Sequence, residues 1–183
     1  MEHETVVLDE AGVRRALRRI AHEIVEQDPG DSLAIVGIHR RGALLAARLR
    51  DLLVALTGAE IPLGDVDISF YRDDVATRGT SQPVVHASHI DFAIDGATVV
   101  IVDDVLYTGR TARAAIDALF DYGRPAMVRL AVLADRGHRE LPIRPDHVGK
   151  NLPTAHSERV NVRVAELDGV DQVTIGSATG VAA

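Results

Sequence analysis

Asp103 and Asp104 stand side by side at the end of the apolar run Val99-Val100-Ile101-Val102, and Val105-Leu106-Tyr107-Thr108-Gly109-Arg110-Thr111 follows them. Successive residues of an extended chain point to opposite sides, so two such carboxylates together meet a polar or cationic ligand. Sugar hydroxyls or a hydrated magnesium ion fit that need. Just beyond, two threonine hydroxyls, a glycine and an arginine open a helical pattern. The first turn of a helix offers unpaired N–H groups and the positive end of its dipole, which suits a phosphate monoester. Gly109 lets the backbone approach the oxygens closely. Carboxylates for a ribose with a phosphate cradle a few residues on describe a 5-phosphoribosyl group. Helix capping alone needs a single side chain and leaves the other polar groups unexplained. A Walker-type loop is excluded, because no glycine-rich stretch ends in Gly-Lys-Ser/Thr, and no ATP site is evident.

A second group, His39-Arg40-Arg41-Gly42, also lies between an apolar run and a helical pattern. Its N–H groups and guanidinium forks suit a pyrophosphate. A solvated turn is the plainer alternative. His39 has no partner histidine at ligand spacing and is not read as a zinc ligand. Tyr71 and Arg72 open a polar stretch that runs to about residue 95 and carries Gly79 and Pro83; loops of that length often act as lids.

The elements that must position these groups are legible as patterns. Val13, Leu17, Ile20 and Ile24 follow helical spacing over 10–28, with Asp9 as N-cap and Asp28-Pro29-Gly30 as the stop. Residues 33–38 read as a buried strand, 43–56 as a helix, and 65–71 as a strand with one wetter face. A strand over 98–104, a helix over 111–123 closed by Gly123 and Pro125, and a strand over 126–135 follow. Continuous apolar strands separated by helices predict an α/β fold with a parallel sheet covered on both faces, and ligands then bind at the carboxyl ends of its strands. The part after Asp135 breaks the pattern and is expected to form a small subdomain over those ends. All 183 residues are expected to form a single domain.

Cysteine is absent, which rules out disulfides and thiolate metal sites. The N-terminus lacks the regions of a signal peptide and no apolar run is long enough to span a membrane, so a soluble cytoplasmic protein is expected. The net charge of −7 opposes indiscriminate nucleic-acid binding, and no DNA partner is expected. Of the 20 basic residues 19 are arginine, Lys150 being the exception.

VVIVDDVLYTGRT, residues 99–111, resembles the phosphoribosyl diphosphate (PRPP) motif of type I phosphoribosyltransferases. DRGHRELPIRPDHVGKNLPT resembles the hood segment of the bifunctional pyrimidine-operon regulator and uracil phosphoribosyltransferase family, and LDEAGVRRALRRIAHEI and FYRDD are similar to that family too. The resemblance covers nearly the whole chain. It implies a core over about 1–135 with the C-terminal strands, a hood over about 136–160 and a long flexible loop. The implied reaction is PRPP plus uracil giving UMP and diphosphate. Asp103 and Asp104 would serve catalysis within the 99–111 PRPP loop. His39–Gly42 and Tyr71 would bind pyrophosphate, and loop closure would bring Arg72 and Arg78 to the leaving group. Magnesium would be carried largely by PRPP, with Asp103, Asp104 and Asp135 acting directly or through water. Uracil would sit under the hood between about Arg136 and Val148, read in part by backbone groups. Orotate would need an extra cation such as Arg136 or Lys150.

Arg15, Arg18, Arg19 and His22 fall within about 100° on a helical wheel, opposite the apolar positions. An acidic protein that concentrates cations there has a use for an anionic partner. The family resemblance supplies one, a loop in the pyrimidine-operon messenger RNA leader, bound more tightly with uridine nucleotides. The matching positions are Arg19, His22, His138, Arg139, Arg144, Lys150 and Thr154. The chain departs from those relatives at Arg18, where they carry threonine, and at Gln27, where they carry arginine, so its RNA preference is expected to differ. Two other readings stand beside the bifunctional one: a salvage enzyme without RNA binding, and a nucleotide-sensing RNA regulator with little turnover. A homo-oligomer, dimer or larger, is expected.

Overall fold

The continuous apolar runs are strands of one parallel sheet, and alternate residues along each strand feed two separate cores. The computed structural model describes residues 4–28, 32–69, 71 and 88–177. Pro29, Gly30, Arg72, Arg78 and most of the long loop lie outside the described residues.

In chain order the elements are β1 (Thr5–Leu8), α1 (Glu10–Gln27), β2 (Leu33–Ile38), α2 (Arg41–Thr57), β3 (Leu63–Val66), β4 (Thr98–Leu106), α3 (Arg110–Phe120), β5 (Met127–Asp135), β6 (His147–Asn151), β7 (Glu158–Arg163), α4 (Ala165–Asp168) and β8 (Gln172–Ser177). Strands β3-β2-β4-β5-β6 form the five-stranded sheet in that spatial order, every pair parallel. Strands β1-β8-β7 form a small antiparallel sheet. On one face, Leu33, Ile35, Val100, Val102 and Leu133 pack with Leu17, Ile20 and Ile24 of α1 and Leu45, Leu49 and Leu53 of α2. On the other, Val36, Ile38, Val99, Ile101 and Val132 pack with Ala112, Ala115 and Leu119 of α3. Burying each such aliphatic side chain contributes about 1.5–3 kcal/mol.

Helix α1 begins as its sequence dictates, the Asp9 carboxylate accepting from the Gly12 N–H at 2.7 Å. Its apolar stripe faces the sheet, and Arg15, Arg18, Arg19 and His22 are exposed on the opposite face. The third strand is shorter than read. It ends at Val66, because the buried Asp67 carboxylate accepts from the Ser69 N–H at 2.8 Å and the Ser69 hydroxyl at 2.5 Å and closes an Asx turn in place of a ladder. Strand β4 continues through Leu106, past the expected end at 104, and α3 stops at Phe120 with Gly123 and Pro125 beyond it. Within the segment after Asp135, β6 joins the parallel sheet beside β5. Among the described residues no helix is long and apolar enough to cross a membrane.

Candidate active site

Strands β2 and β4 are neighbours in a parallel sheet, so the turn after one and the loop after the other open at the same edge. Gly37 lets the start of α2 fold tightly onto β2, and Gly42 brings that turn into contact with β4. A Cβ on Gly37 would lie 2.4 Å from the Ala43 Cα, and one on Gly42 would lie 2.6 Å from the Val102 carbonyl oxygen and 3.1 Å from the Asp103 Cα. The His39–Gly42 turn is therefore seated on the backbone that carries the paired carboxylates. The His39–Arg40 peptide is cis. Arg40 is exposed. Arg41 turns its guanidinium to Asp168 of α4, with Nη2–Oδ1 at 2.8 Å and Nε–Oδ2 at 3.2 Å. That bond holds Arg41 above its ordinary pKa, and the charge of Asp104 adds to the effect.

Asp103 is buried and Asp104 half-buried, as alternation along β4 requires. Asp103 Oδ1 accepts from the Asp104 N–H at 2.9 Å, and Asp104 Oδ1 accepts from the Val105 N–H at 2.8 Å. Val99, Val100, Ile101 and Val102 are core residues that hold the pair in place. The loop then turns at Gly109, whose φ of 93° lies in the left-handed region. The Thr108 carbonyl accepts from the N–H groups of Glu140 at 2.9 Å and Leu141 at 3.1 Å, and Arg110 Nε donates to Glu140 at 2.8 Å. A Cβ on Gly109 would lie 3.4 Å from the side chains of Leu141 and Ile143, so the segment after β5 lies directly over this loop. Thr108 and Thr111 are half-buried at the start of α3.

As hard oxygen donors, Asp103 and Asp104 suit Mg2+, and Asp135 suits it poorly. Asp135 Oδ1 accepts from the Gly137 N–H at 2.9 Å and Oδ2 from Arg139 Nη2 at 2.5 Å. The three aspartates do not gather into a three-ligand group among the described residues. A magnesium ion here fits only with oxygens that its substrate and water supply.

Beyond β5 the side chains are bonded inward. Arg136 is buried, donates to the carbonyls of Glu158 at 2.8 Å and Ala155 at 3.3 Å, and stacks 4.1 Å from the centre of the exposed Tyr107 ring. Arg139 donates to the carbonyls of Ile143 and Tyr107 at 2.9 and 2.8 Å. His138, at a φ of 58°, contacts the Thr154 carbonyl at 2.5 Å and the His156 ring nitrogen at 3.1 Å. The Thr154 hydroxyl donates to the Arg136 carbonyl at 3.2 Å. Arg19 reaches from α1 to the carbonyls of Val148 at 2.8 Å and Gly149 at 2.7 Å. Arg144 and Lys150 are exposed. The Tyr71 hydroxyl donates to Asp121, just past α3, and that bond raises its pKa.

Three arrangements have no local signature. Arg48 forks onto Glu166 and Asp171, which with Arg41–Asp168 moors the small sheet to α2. Arg136 meets Tyr107 across 29 positions. His39, Asp65 and His89 converge from three segments; no histidine stands at ligand spacing from His39 in the sequence, and the fold brings the distant His89 to the same carboxylate.

A parallel sheet with a carboxylate pair, a helix-opening threonine loop and a seated arginine turn at one edge defines a phosphoribosyl-binding fold. The chain belongs to the phosphoribosyltransferase family, the model of the phosphoribosyl transferase domain matching residues 5–166. The bifunctional protein PyrR of Listeria monocytogenes is 53% identical over 178 residues, covering 96% of this chain and 97% of that protein. The bifunctional protein PyrR of Acetivibrio thermocellus is 55% identical over 170 residues, 92% of each. The hypoxanthine phosphoribosyltransferase of Trypanosoma cruzi superposes with a TM-score of 0.72 at 19% identity, over 94% of this chain and 96% of that one. That of Staphylococcus aureus superposes at 0.69 and 21%, over 94% and 91%. These structures bear out the fold.

Proposed function

We propose that this chain is a uracil phosphoribosyltransferase, making UMP and diphosphate from uracil and PRPP, and a UMP-responsive regulator that binds the messenger RNA leader of the pyrimidine operon. The observation that carries the catalytic half is the seating of Gly42 on Val102 and Asp103, which brings a pyrophosphate turn and a ribose carboxylate pair to one edge. The near-full-length identity to bifunctional PyrR proteins supports the regulatory half.

In the reaction, uracil N1 replaces diphosphate at the anomeric carbon of the ribose, through a state with oxocarbenium character. Asp104 and Asp103 orient the ribose hydroxyls. The N–H groups and hydroxyls of 107–111 hold the 5-phosphate, and the His39–Gly42 turn receives the departing diphosphate together with Arg72. Positioning of this kind supplies about 7–11 kcal/mol of barrier reduction. Asp103 and Asp104 would meet a magnesium ion brought in on PRPP, directly or through water, and the ion would supply charge neutralisation to the departing diphosphate. The uracil pocket lies between Arg136 and Val148, where backbone groups read the pyrimidine edge.

The RNA surface comprises the exposed Arg15, Arg18 and His22 of α1 with Arg144 and Lys150, and Arg19 ties α1 to β6 within it. A cytoplasmic site of action follows, and large apolar side chains exposed at Phe120, Tyr122 and Met127 support a homo-oligomer. The second reading, a salvage enzyme without RNA binding, draws on the internal partners of Arg19, His138 and Arg139. Leader binding by the purified protein, with and without UMP at two salt concentrations, separates the two. Tight, UMP-enhanced and salt-sensitive binding supports the regulator; binding no stronger than to a scrambled RNA leaves the salvage enzyme.

A further inference from the structure

His39, Asp65 and His89 come from the turn after β2, from β3 and from the segment that leads back toward β4. His39 Nε2 lies 2.6 Å from Asp65 Oδ1, and His89 Nδ1 lies 3.2 Å from the same oxygen. The three donor atoms fall within 4.8 Å of one another, the one such group among the described residues. We propose that these side chains form a site for a divalent transition-metal ion, Zn2+ in the first instance, with water as the fourth ligand.

The donor set selects the ion. Two imidazoles and one carboxylate with an open position match zinc, whereas magnesium prefers all-oxygen ligation. Bond lengths of about 2.0–2.1 Å put tetrahedral ligand atoms roughly 3.3 Å apart, close to the observed His89–Asp65 separation. At the shorter contact, the ion takes the place of the proton shared between His39 Nε2 and Asp65 Oδ1, and the two atoms move apart toward that value.

The ligands stand on backbone that is already fixed. The Asp65 N–H donates to the His89 carbonyl and the His89 N–H to the Asp65 carbonyl, both at 2.9 Å, forming an isolated antiparallel bridge. The His39 N–H donates to the Val66 carbonyl at 3.0 Å. Little ordering is left for the ion to impose. The site is also open to solvent, with the side chains of His39, Asp65 and His89 exposed by 22%, 26% and 60%, so an ion and its water can enter. Bound there, zinc clamps the turn that carries Arg40, Arg41 and Gly42 to β3 and to residues 88–90. The proposal stands apart from the transferase reading, since a chain inactive toward every base would bind the ion equally well.

The test uses untagged full-length protein, stripped with EDTA and titrated with Co2+ and then Zn2+. One equivalent of Co2+ is expected to give visible ligand-field bands of low coordination number, which Zn2+ displaces, and Zn2+ is expected to raise the melting temperature. His89→Asn should weaken Zn2+ binding by at least roughly 10- to 100-fold, the loss that even outer-shell changes cause, while melting like the unsubstituted protein in EDTA. Asp65→Asn should do the same. His156→Ala, at the separate His138–His156 pair, should leave the affinity unchanged. Absence of a saturable Co2+ spectrum, wild-type affinity in both the His89 and Asp65 variants, or loss of binding in the His156 variant would each overturn the proposal.

Discussion

Gly42 packs against the carbonyl of Val102 so closely that a Cβ would sit 2.6 Å from its oxygen. The spacing between the His39–Gly42 turn and the Asp103–Asp104 pair is thus set by a contact that only glycine permits. Gly42→Ala must push the first turn of α2 away from β4. The expected result is a loss of about 1–3 kcal/mol in stability, as for other overpacked sites, and a drop in kcat/KM of at least about tenfold from the misplaced turn. Chemical denaturation and initial rates on one preparation check both.

Asp104 is half-buried, and among the described residues its Oδ1 alone is bonded, accepting from the Val105 N–H. Asp104→Asn preserves that acceptor and the side chain's shape while removing the charge. Turnover is expected to fall by about 10²-fold or more with the melting temperature unchanged. A variant of full activity would remove Asp104 from the ribose and magnesium roles.

The basic face of α1 is best probed away from Arg19. That residue donates to the carbonyls of Val148 and Gly149, so Arg19→Glu would unpick the α1–β6 junction as well as any RNA contact. Arg18 is exposed and, among the contacts described, holds no such tether. Arg18→Glu should spare UMP formation, weaken leader binding by about tenfold or more and reduce the salt slope by about one charge. Filter binding across a salt series measures both quantities.

Stability should decline in acid because of the mooring between α2 and α4. The bond from Arg48 holds Glu166 below its ordinary value of 4.5, and the bond from Arg41 holds Asp168 below 3.8. Burial pushes Asp171 upward, but the bonds from Arg48 and the Ala165 N–H outweigh it. Lowered folded values mean that the unfolded chain takes up protons first as pH falls. The contribution is therefore complete above the ordinary carboxylate range, declines through it, and is gone once the folded carboxylates protonate. Arg48→Met should cost about 1–2 kcal/mol at neutral pH and flatten the decline toward about pH 4. Urea unfolding across that range reads both effects.

The strand, loop and helix around Asp103 to Thr111 were legible in the sequence because the pattern is local: the residues are consecutive, and an apolar run must become a buried strand. The basic face of α1 was legible for the same reason, since one helix carries it. The third strand was overextended because Asp67 turns the chain through a side-chain bond to Ser69 that competes with the ladder without changing the apolar pattern. The His39–Asp65–His89 group and the Arg136–Tyr107 stack escaped because each joins segments that only the tertiary fold brings together.

Base choice tests the central claim most directly, since the fold is shared with hypoxanthine phosphoribosyltransferases. The purified protein is to be incubated with PRPP and Mg2+ and, separately, uracil, orotate or hypoxanthine, and the nucleotide product measured. UMP from uracil, with little product from the other two bases, is the predicted result. No UMP from a protein that binds PRPP, or a preference for hypoxanthine or orotate, would contradict it.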